Sequence, residues 1–224
     1  MDEWHLVYSD YDPAIEGRRE ALCTLGNGYF ATRGASPDSA AGSIHYPGTY
    51  LAGGYNRLTT RIDSHAVENE DLVNLPNWLP VTFRIDGGDW FHIDRVEILS
   101  YRQELDLTAG MLHRDIRFRD GAGRTTRWKE RRIVSMADRH LAALSIELTA
   151  EDWDGELTVR AGLDGSVTNA GVPRYRDLAS RHLETLDLQH LGADVIYLHS
   201  RTNQSLLQVA LAARLRLYQD DREI

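Results

Sequence analysis

From Pro80 onward apolar and polar positions alternate with a period of two, the pattern of strands buried on one face. Val81, Phe83 and Ile85 share one side, Asp86-Gly87-Gly88-Asp89 reads as a turn, and Trp90 to Ile93 reads as the returning strand. In Leu112 to Arg119, Leu112, Ile116 and Phe118 share a face, with His113, Asp115 and Arg117 opposite. Asp120-Gly121-Ala122-Gly123 then turns the chain into Arg124 to Ser135, which is polar on both faces until Ile133. Such a strand is either a sheet edge or is covered by something outside this chain. The pattern repeats at Leu144, Ile146 and Leu148 and at Leu157, Val159 and Ala161, followed by a loop with Gly165, Gly171 and Pro173 beside Arg174-Tyr175-Arg176. Further strands are predicted over Leu183 to Leu191, Val195 to His199 and Ser205 to Tyr218. The residues of the last also suit a helix, but apolar positions at 206, 207, 209, 211, 213, 215 and 217 follow period two, and a strand is preferred.

The first eighty residues are less regular. The opening to Gly17 is acidic and turn-rich. Arg18 to Arg33 shows no helix cap and reads as two short strands joined through Gly26-Asn27-Gly28, since Asn-Gly is a strong hairpin signal. Ala35 to Gly42 is a loop, and the section from there to Pro80 is irregular, long enough to be functional or covered. Many strands, glycine turns and little helical periodicity predict an all-β fold: a large antiparallel β-sandwich with few or no helices, one domain over residues 1–224.

Composition narrows the function classes. A hydrophobic content of 42% and a charged content of 26% describe a globular chain. A net charge of -9 argues against a nucleic-acid partner and fits neutral sugars or proteins. No apolar run is long enough to span a bilayer, so no membrane partner is expected. Cys23 is the only cysteine and Met1-Asp2-Glu3-Trp4 lacks the character of a signal peptide, so a cytoplasmic location is expected. Asn203-Gln204-Ser205 has the form of a glycosylation acceptor and, without secretion, is read as a chance match.

Most catalytic readings fail on context. Gly26-x-Gly28-x-x-Ala31 meets a loose dinucleotide fingerprint, but no helix opens at its glycines and no βαβ alternation follows, so a tight turn is favoured. Glu68 and Glu70, if extended, would stand about 7 Å apart on one face, inside the inverting-glycosidase range of about 6.5–9.5 Å. Catalytic acids normally oppose each other across a cleft, and these, with Asp71, are better read as a loop contacting another domain. The nine histidines show no metal spacing, so neither a metal nor another cofactor is expected. Ser135 and Ser205 lack a nucleophile elbow.

One stretch, Glu20 to Trp78, mixes glycines, aromatics, Arg and Asn in a way suited to meeting a sugar or another domain. Its candidates for substrate or domain contact are Tyr46, Tyr50, Tyr55, Arg57, Glu70, Asn74, Asn77 and Trp78, with domain packing slightly favoured over sugar stacking. Trp4, Trp90, Trp128 and Trp153 are spread out and are expected to pack locally.

The same stretch carries a family resemblance. Gly26-Asn27-Gly28-Tyr29, Arg33-Gly34, Tyr46-Pro47-Gly48-Thr49-Tyr50 and Asn74-Leu75-Pro76-Asn77-Trp78 resemble the amino-terminal domain of glycoside hydrolase family 65. Leu105-Asp106-Leu107 with Gly110, Gly123-Arg124, Arg131 to Met136 ahead of Asp138, and Leu163-Asp164-Gly165 extend the resemblance over most of the chain. That family includes maltose, trehalose and kojibiose phosphorylases and related α-glucoside hydrolases. The resemblance implies a supersandwich-like domain joined to an (α/α)6 barrel that holds the general acid and the phosphate site. It implies no catalytic residue within this chain, which alone would be inactive. In the parent enzyme it implies inorganic phosphate as co-substrate if a phosphorylase, and an α-linked glucose disaccharide as substrate. The implied partner is the barrel; with the barrel missing, the aromatic Glu20 to Trp78 side is itself expected to let the chain self-associate as a homo-oligomer. An autonomous carbohydrate-binding module is the alternative reading.

Overall fold

The computed structural model describes residues 3–171 and 177–224, so the predicted Pro173 and Arg174-Tyr175-Arg176 lie outside the described residues. The chain divides into two compact units, Met1–Pro47 with Val81–Arg160, and Gly48–Pro80 with Ala161–Ile224. The fold is mostly β, built of several antiparallel sheets, with one α-helix among the described residues.

The chain opens with β1 (His5–Tyr8), α1 (Glu16–Leu22), β2 (Leu25–Gly26) and β3 (Phe30–Thr32) in the first unit. It continues in the second with β4 (Thr49–Leu51), β5 (Tyr55–Ile62) and β6 (His65–Leu72). It returns to the first for β7 (Val81–Ile85), β8 (Glu97–Asp106), β9 (Met111–Arg119), β10 (Thr125–Val134), β11 (Ala142–Ala150) and β12 (Leu157–Ala161), the last ending at the boundary. The second unit is completed by β13 (Leu183–His190), β14 (Val195–Thr202), β15 (Gln208–Arg214), β16 (Tyr218–Gln219) and β17 (Arg222–Glu223).

In the first unit β1-β8-β9-β10-β11 form a five-stranded sheet, and β7 pairs with β12. Phe83 and Ile85 of β7 and Val159 of β12 pack against Tyr101, Ile116, Phe118 and Trp128 of the larger sheet. Phe91 joins them with its ring centroid 4.6 Å from Phe118 and 5.3 Å from Trp128. Cys23, Leu25, Leu105, Leu112 and Val134 make a second apolar cluster. The period-two alternation predicted for β7, β9 and β12 places Phe83, Ile85, Ile116, Phe118 and Val159 in the first core, which Tyr101, Trp128 and Phe91 join without that signal.

Between the two clusters runs a row of charge. Gln103, Arg114 and Glu130 stand side by side through the pairing of β8, β9 and β10, and Arg132 follows Glu130 on the same face. All four are buried. Arg114 Nη1 and Arg132 Nη2 each lie 2.5 Å from a Glu130 carboxylate oxygen. Other guanidinium N–H groups donate to backbone carbonyls, Arg114 Nη2 to Gly34 at 3.0 Å and Arg132 Nη1 and Nη2 to Arg33 and Ala35 at 3.1 and 2.8 Å, while the Nε of each arginine is buried without an acceptor. Burial costs such charges several kcal/mol each unless every one is paired and hydrogen-bonded. Here two arginines share one carboxylate and cap three consecutive carbonyls.

This row corrects the sequence reading of Arg124 to Ser135. β10 is a central strand between β9 and β11, and its polar inward face is covered by Arg33 to Ala35 of the same chain. Three other expectations are also corrected. Arg18 to Arg33 begins in a helix, α1, before the β2–β3 hairpin; its N-terminal flank Ile15 makes no side-chain cap, and its buried residues are Glu16, Arg19 and Glu20. A helix that buries charge has no apolar stripe to read. Trp90 to Ile93 is not a strand: Phe91 N–H bonds back to Phe83 O at 2.7 Å, a short 3-10 turn follows over Ile93–Arg95, and the strand paired with β7 is β12. The section before Pro80 contains the hairpin β5–β6, two strands of eight residues each, whose outer positions are polar or solvated and so carry no hydrophobic period.

In the second unit β13-β14-β15 form an antiparallel sheet. Val73, Leu75, Val167 and Leu183 are its buried apolar cluster, with Leu51 and Val209 packed against it. The last predicted strand is present, trimmed to Gln208–Arg214.

Candidate functional site

The β5–β6 hairpin has two unlike faces. Its register sets Tyr55 opposite Leu72, Arg57 opposite Glu70 and Thr59 opposite Glu68, all on one exposed face. Arg57 Nε lies 2.7 Å from Glu70 Oε2 and Arg57 Nη1 lies 3.7 Å from Glu68 Oε1. Glu70, whose hydrogen bond is the largest influence, and then Glu68 raise the Arg57 pKa. The predicted acids are therefore neighbours along one strand, bound to one guanidinium, and do not oppose each other across a cleft.

At its open end, away from the turn, the inner face of the same hairpin is polar and buried, with Asn56, Asn69 and Asp71 on it. Asn56 Oδ1 accepts from the N–H groups of Gln204 and Ser205 at 3.1 and 2.8 Å, while its Nδ2 donates to Asn203 Oδ1 at 2.9 Å and to His182 Nδ1 at 3.0 Å. That leaves the N–H of a neutral His182 on Nε2, which sits 3.2 Å from Asp71 Oδ2, close enough for attraction but off the line of a hydrogen bond. Burial lowers the His182 pKa, and Asp71 only partly opposes it. Asn69 donates to Asp71 in turn.

The asparagines predicted as contacts hold the backbone. Asn74 is buried, its Oδ1 accepting from Thr49 N–H at 3.1 Å and its Nδ2 donating to Thr168 O at 3.2 Å. Asn77 is buried, accepts from Leu79 N–H at 3.1 Å and bridges through its backbone to Asp164. Trp78 is half-buried, with its indole N–H shielded from water and unbonded. Tyr50 is half-buried in β4, and Tyr55 is half exposed at the start of β5. Of the predicted residues of this unit, the structure brings Tyr55, Arg57 and Glu70 together on one accessible face.

Tyr46 belongs to the first unit. Arg33 lies over its ring at 5.1 Å and donates to its carbonyl at 2.7 Å, and its N–H donates to Glu20 Oε2 at 2.8 Å. Glu20 Oε1 also meets His45 Nδ1 at 2.8 Å, and His45 Nε2 lies 3.3 Å from both Asp94 Oδ2 and the Tyr11 hydroxyl. Burial alone would lower the His45 pKa, but Glu20, Asp94 and Asp38 together raise it. Tyr11 donates to Asp94, and burial followed by that bond pushes the Tyr11 hydroxyl far above its ordinary value. Sequence spacing gave no sign of this cluster, because its members are scattered from Tyr11 to Asp94.

The resemblance blocks are also structural. Asn27 Oδ1 accepts from Tyr29 and Phe30 N–H, and its Nδ2 donates to Ser135 O at 2.7 Å and Arg139 O at 3.1 Å. Gly28 takes φ +83, which favours glycine. A Cβ on Gly34 would fall 2.6 Å from Cys23 Cβ. Among the described residues no group of three or more His, Cys, Asp or Glu side chains could hold a metal ion, and no helix is long and apolar enough to cross a membrane.

Residues 6–223 match the glycosyl hydrolase family 65, N-terminal domain. The whole chain aligns at 49% identity with an uncharacterized glycosyl hydrolase of Mycobacterium tuberculosis, covering 17% of that protein. A kojibiose phosphorylase of Caldanaerobacter subterraneus is 30% identical over 96% of the chain and 26% of its own length. A maltose phosphorylase of Bacillus subtilis is 27% identical over 75% of the chain and 22% of its own length. A solved structure described as a kojibiose phosphorylase from the human microbiome shares the fold, with a TM-score of 0.81 at 19% identity, over 97% of this chain and 28% of that one. The chain thus spans roughly a sixth to a quarter of the length of these relatives.

Proposed function

The chain belongs to the N-terminal domain of glycosyl hydrolase family 65, and on that premise we propose that it is a non-catalytic β domain of an inverting α-glucoside phosphorylase or hydrolase. Its role is to support and partly wall an active site whose acid lies in an (α/α)6 barrel encoded by further polypeptide. The substrate class is an α-linked glucose disaccharide, with inorganic phosphate as co-substrate in a phosphorylase. One observation carries this reading: nearly the whole chain aligns with disaccharide phosphorylases while covering about a quarter of their length. The geometry agrees with it. Glu68 and Glu70 share Arg57 on an open face, and the predicted asparagines hold backbone.

The test is paired. The purified chain should release neither glucose nor glucose 1-phosphate from maltose, trehalose or kojibiose, with or without phosphate. A protein extended through the barrel should cleave one of them. Amide exchange over residues 46–78 should slow in the extended protein, and Trp78→Ala should loosen docking and lower turnover there without removing a chemical group. Activity of the isolated chain that survives repurification and vanishes in Glu70→Ala overturns the reading. Saturable binding of free sugar to the isolated chain makes it a carbohydrate-binding module instead.

A further inference from the structure

We infer that Arg84, Trp90 and Arg160 form a binding site for a phosphate group on the outer face of β7 and β12. β7 turns Phe83 and Ile85 into the aromatic core, so strand alternation places Arg84 on the opposite side. Val159 of β12 packs on that core, which places Arg160 on the outer side too. Trp90, just after the turn from β7, takes both: its ring centroid is 4.9 Å from Arg84 Cζ and 4.2 Å from Arg160 Cζ.

Two cations on one indole are close neighbours and repel each other. Arg114, Arg117, Arg119, Arg124, Arg127 and Arg132 of the same unit each have a carboxylate partner. Among the described residues Arg84 and Arg160 have none, although Asp89 stands exposed next to Trp90 in the sequence, and the same is true of Arg18, Arg95, Arg131 and Arg139. What sets Arg84 and Arg160 apart is that they share one ring. A cation–π contact occupies the flat face of a guanidinium and leaves its N–H edge for an anion. Arg84 Nε is shielded from solvent without an acceptor, whereas Arg160 is exposed and accessible to a ligand.

The chemistry favours a phosphate group. One tetrahedral dianion with several acceptor oxygens can answer both guanidiniums, which one carboxylate of a peptide cannot do as well. A neutral sugar is disfavoured, because the indole that would stack on it already carries Arg160. The group could arrive as inorganic phosphate or as a sugar phosphate. This site is made of residues separate from the surface proposed to meet the barrel, so its failure leaves the domain reading intact.

The test follows the arginine Nε–Hε resonances of the 224-residue chain by NMR at constant ionic strength. Orthophosphate, glucose 1-phosphate, glucose 6-phosphate and glucose are titrated separately. Orthophosphate should shift the Arg84 signal saturably at millimolar concentration, and glucose should not. Arg160→Gln should weaken binding by about tenfold or more, with unchanged melting, while Arg117→Gln should leave it unaltered. Equal affinity for all three phosphates means that the phosphate alone is read; tighter binding of one sugar phosphate identifies that source. No saturable shift, an equal shift from chloride, or undiminished binding in Arg160→Gln overturns the inference. Binding of a glutamate-rich peptide in the absence of any phosphate response also overturns it.

Discussion

Glu130 and Arg132, two residues apart on β10, point to the same side and meet at 2.5 Å with neither side chain exposed to water. Arg114 reaches the other oxygen of the same carboxylate. Glu130→Gln should therefore strand two buried guanidiniums and destabilise the first unit by about 3–5 kcal/mol. Chemical denaturation followed by circular dichroism checks this. Glu147→Gln, on the neighbouring strand with Lys129 at 3.9 Å and both side chains exposed, is the control and should change stability by less than about 1 kcal/mol.

Gly34 is the point where Arg114, α1 and Cys23 meet. Its N–H bonds to Glu20 O at 2.8 Å, its carbonyl accepts from Arg114, and an added Cβ would press on the Cys23 Cβ and carbonyl at 2.6 and 2.9 Å. Gly34→Ala should cost about 1–3 kcal/mol through overpacking. Adding Cys23→Ala should recover little, because the Cβ and the backbone remain. Thermal melting of the single and double variants measures both effects.

Asn56→Ala should cost about 1–3 kcal/mol by removing a buried amide and with it the acceptor shared by the Gln204 and Ser205 N–H groups. The loss should appear as faster amide exchange at Gln204 and Ser205. Arg57→Ala, one residue away on the solvated face, should change stability by less than about 1 kcal/mol. Amide exchange of both variants distinguishes the two faces of the hairpin.

The two buried histidines should give opposite pH dependences. The folded His45 pKa is raised, so its contribution is fully present below about pH 6.5 and is lost as pH rises through the folded value. Melting of the native chain and His45→Gln should therefore converge as the pH is raised above about 6.5. The folded His182 pKa is lowered, so stability falls as pH drops below about 6.5 toward the folded value. Imidazole NMR titration should place His45 above the ordinary histidine value and His182 below it.

The aromatic core was legible because Phe83, Ile116, Phe118 and Leu148 obey period two, and the hairpin at Gly26-Asn27-Gly28 was legible from its turn. What escaped was structure held by polarity. α1 buries Glu16, Arg19 and Glu20, and β10 buries Glu130 and Arg132, where a hydropathy pattern reads solvent. In β5 and β6 the buried positions are Asn56, Asn69 and Asp71, all polar, between solvated neighbours. Among the candidate contacts, Asn74 and Asn77 have backbone groups as neighbours, whose positions depend on tertiary folding. The Arg84–Trp90–Arg160 group was invisible because β12 supplies its third member seventy residues after Trp90.

Each of the two units is assembled from two stretches separated by the other's sequence. A ribosome that has made the first eighty residues has completed neither, and Asn56 must wait for Asn203, Gln204 and Ser205 to be synthesised before its amide is satisfied. Such distant pairings slow folding and lengthen the time that strand edges stay open to other chains. The nascent β5–β6 hairpin is thus exposed early, without the sequence that later buries its inner face. Holding it open to a chaperone, or slowing translation before residue 161, should affect the yield of the second unit more than that of the first.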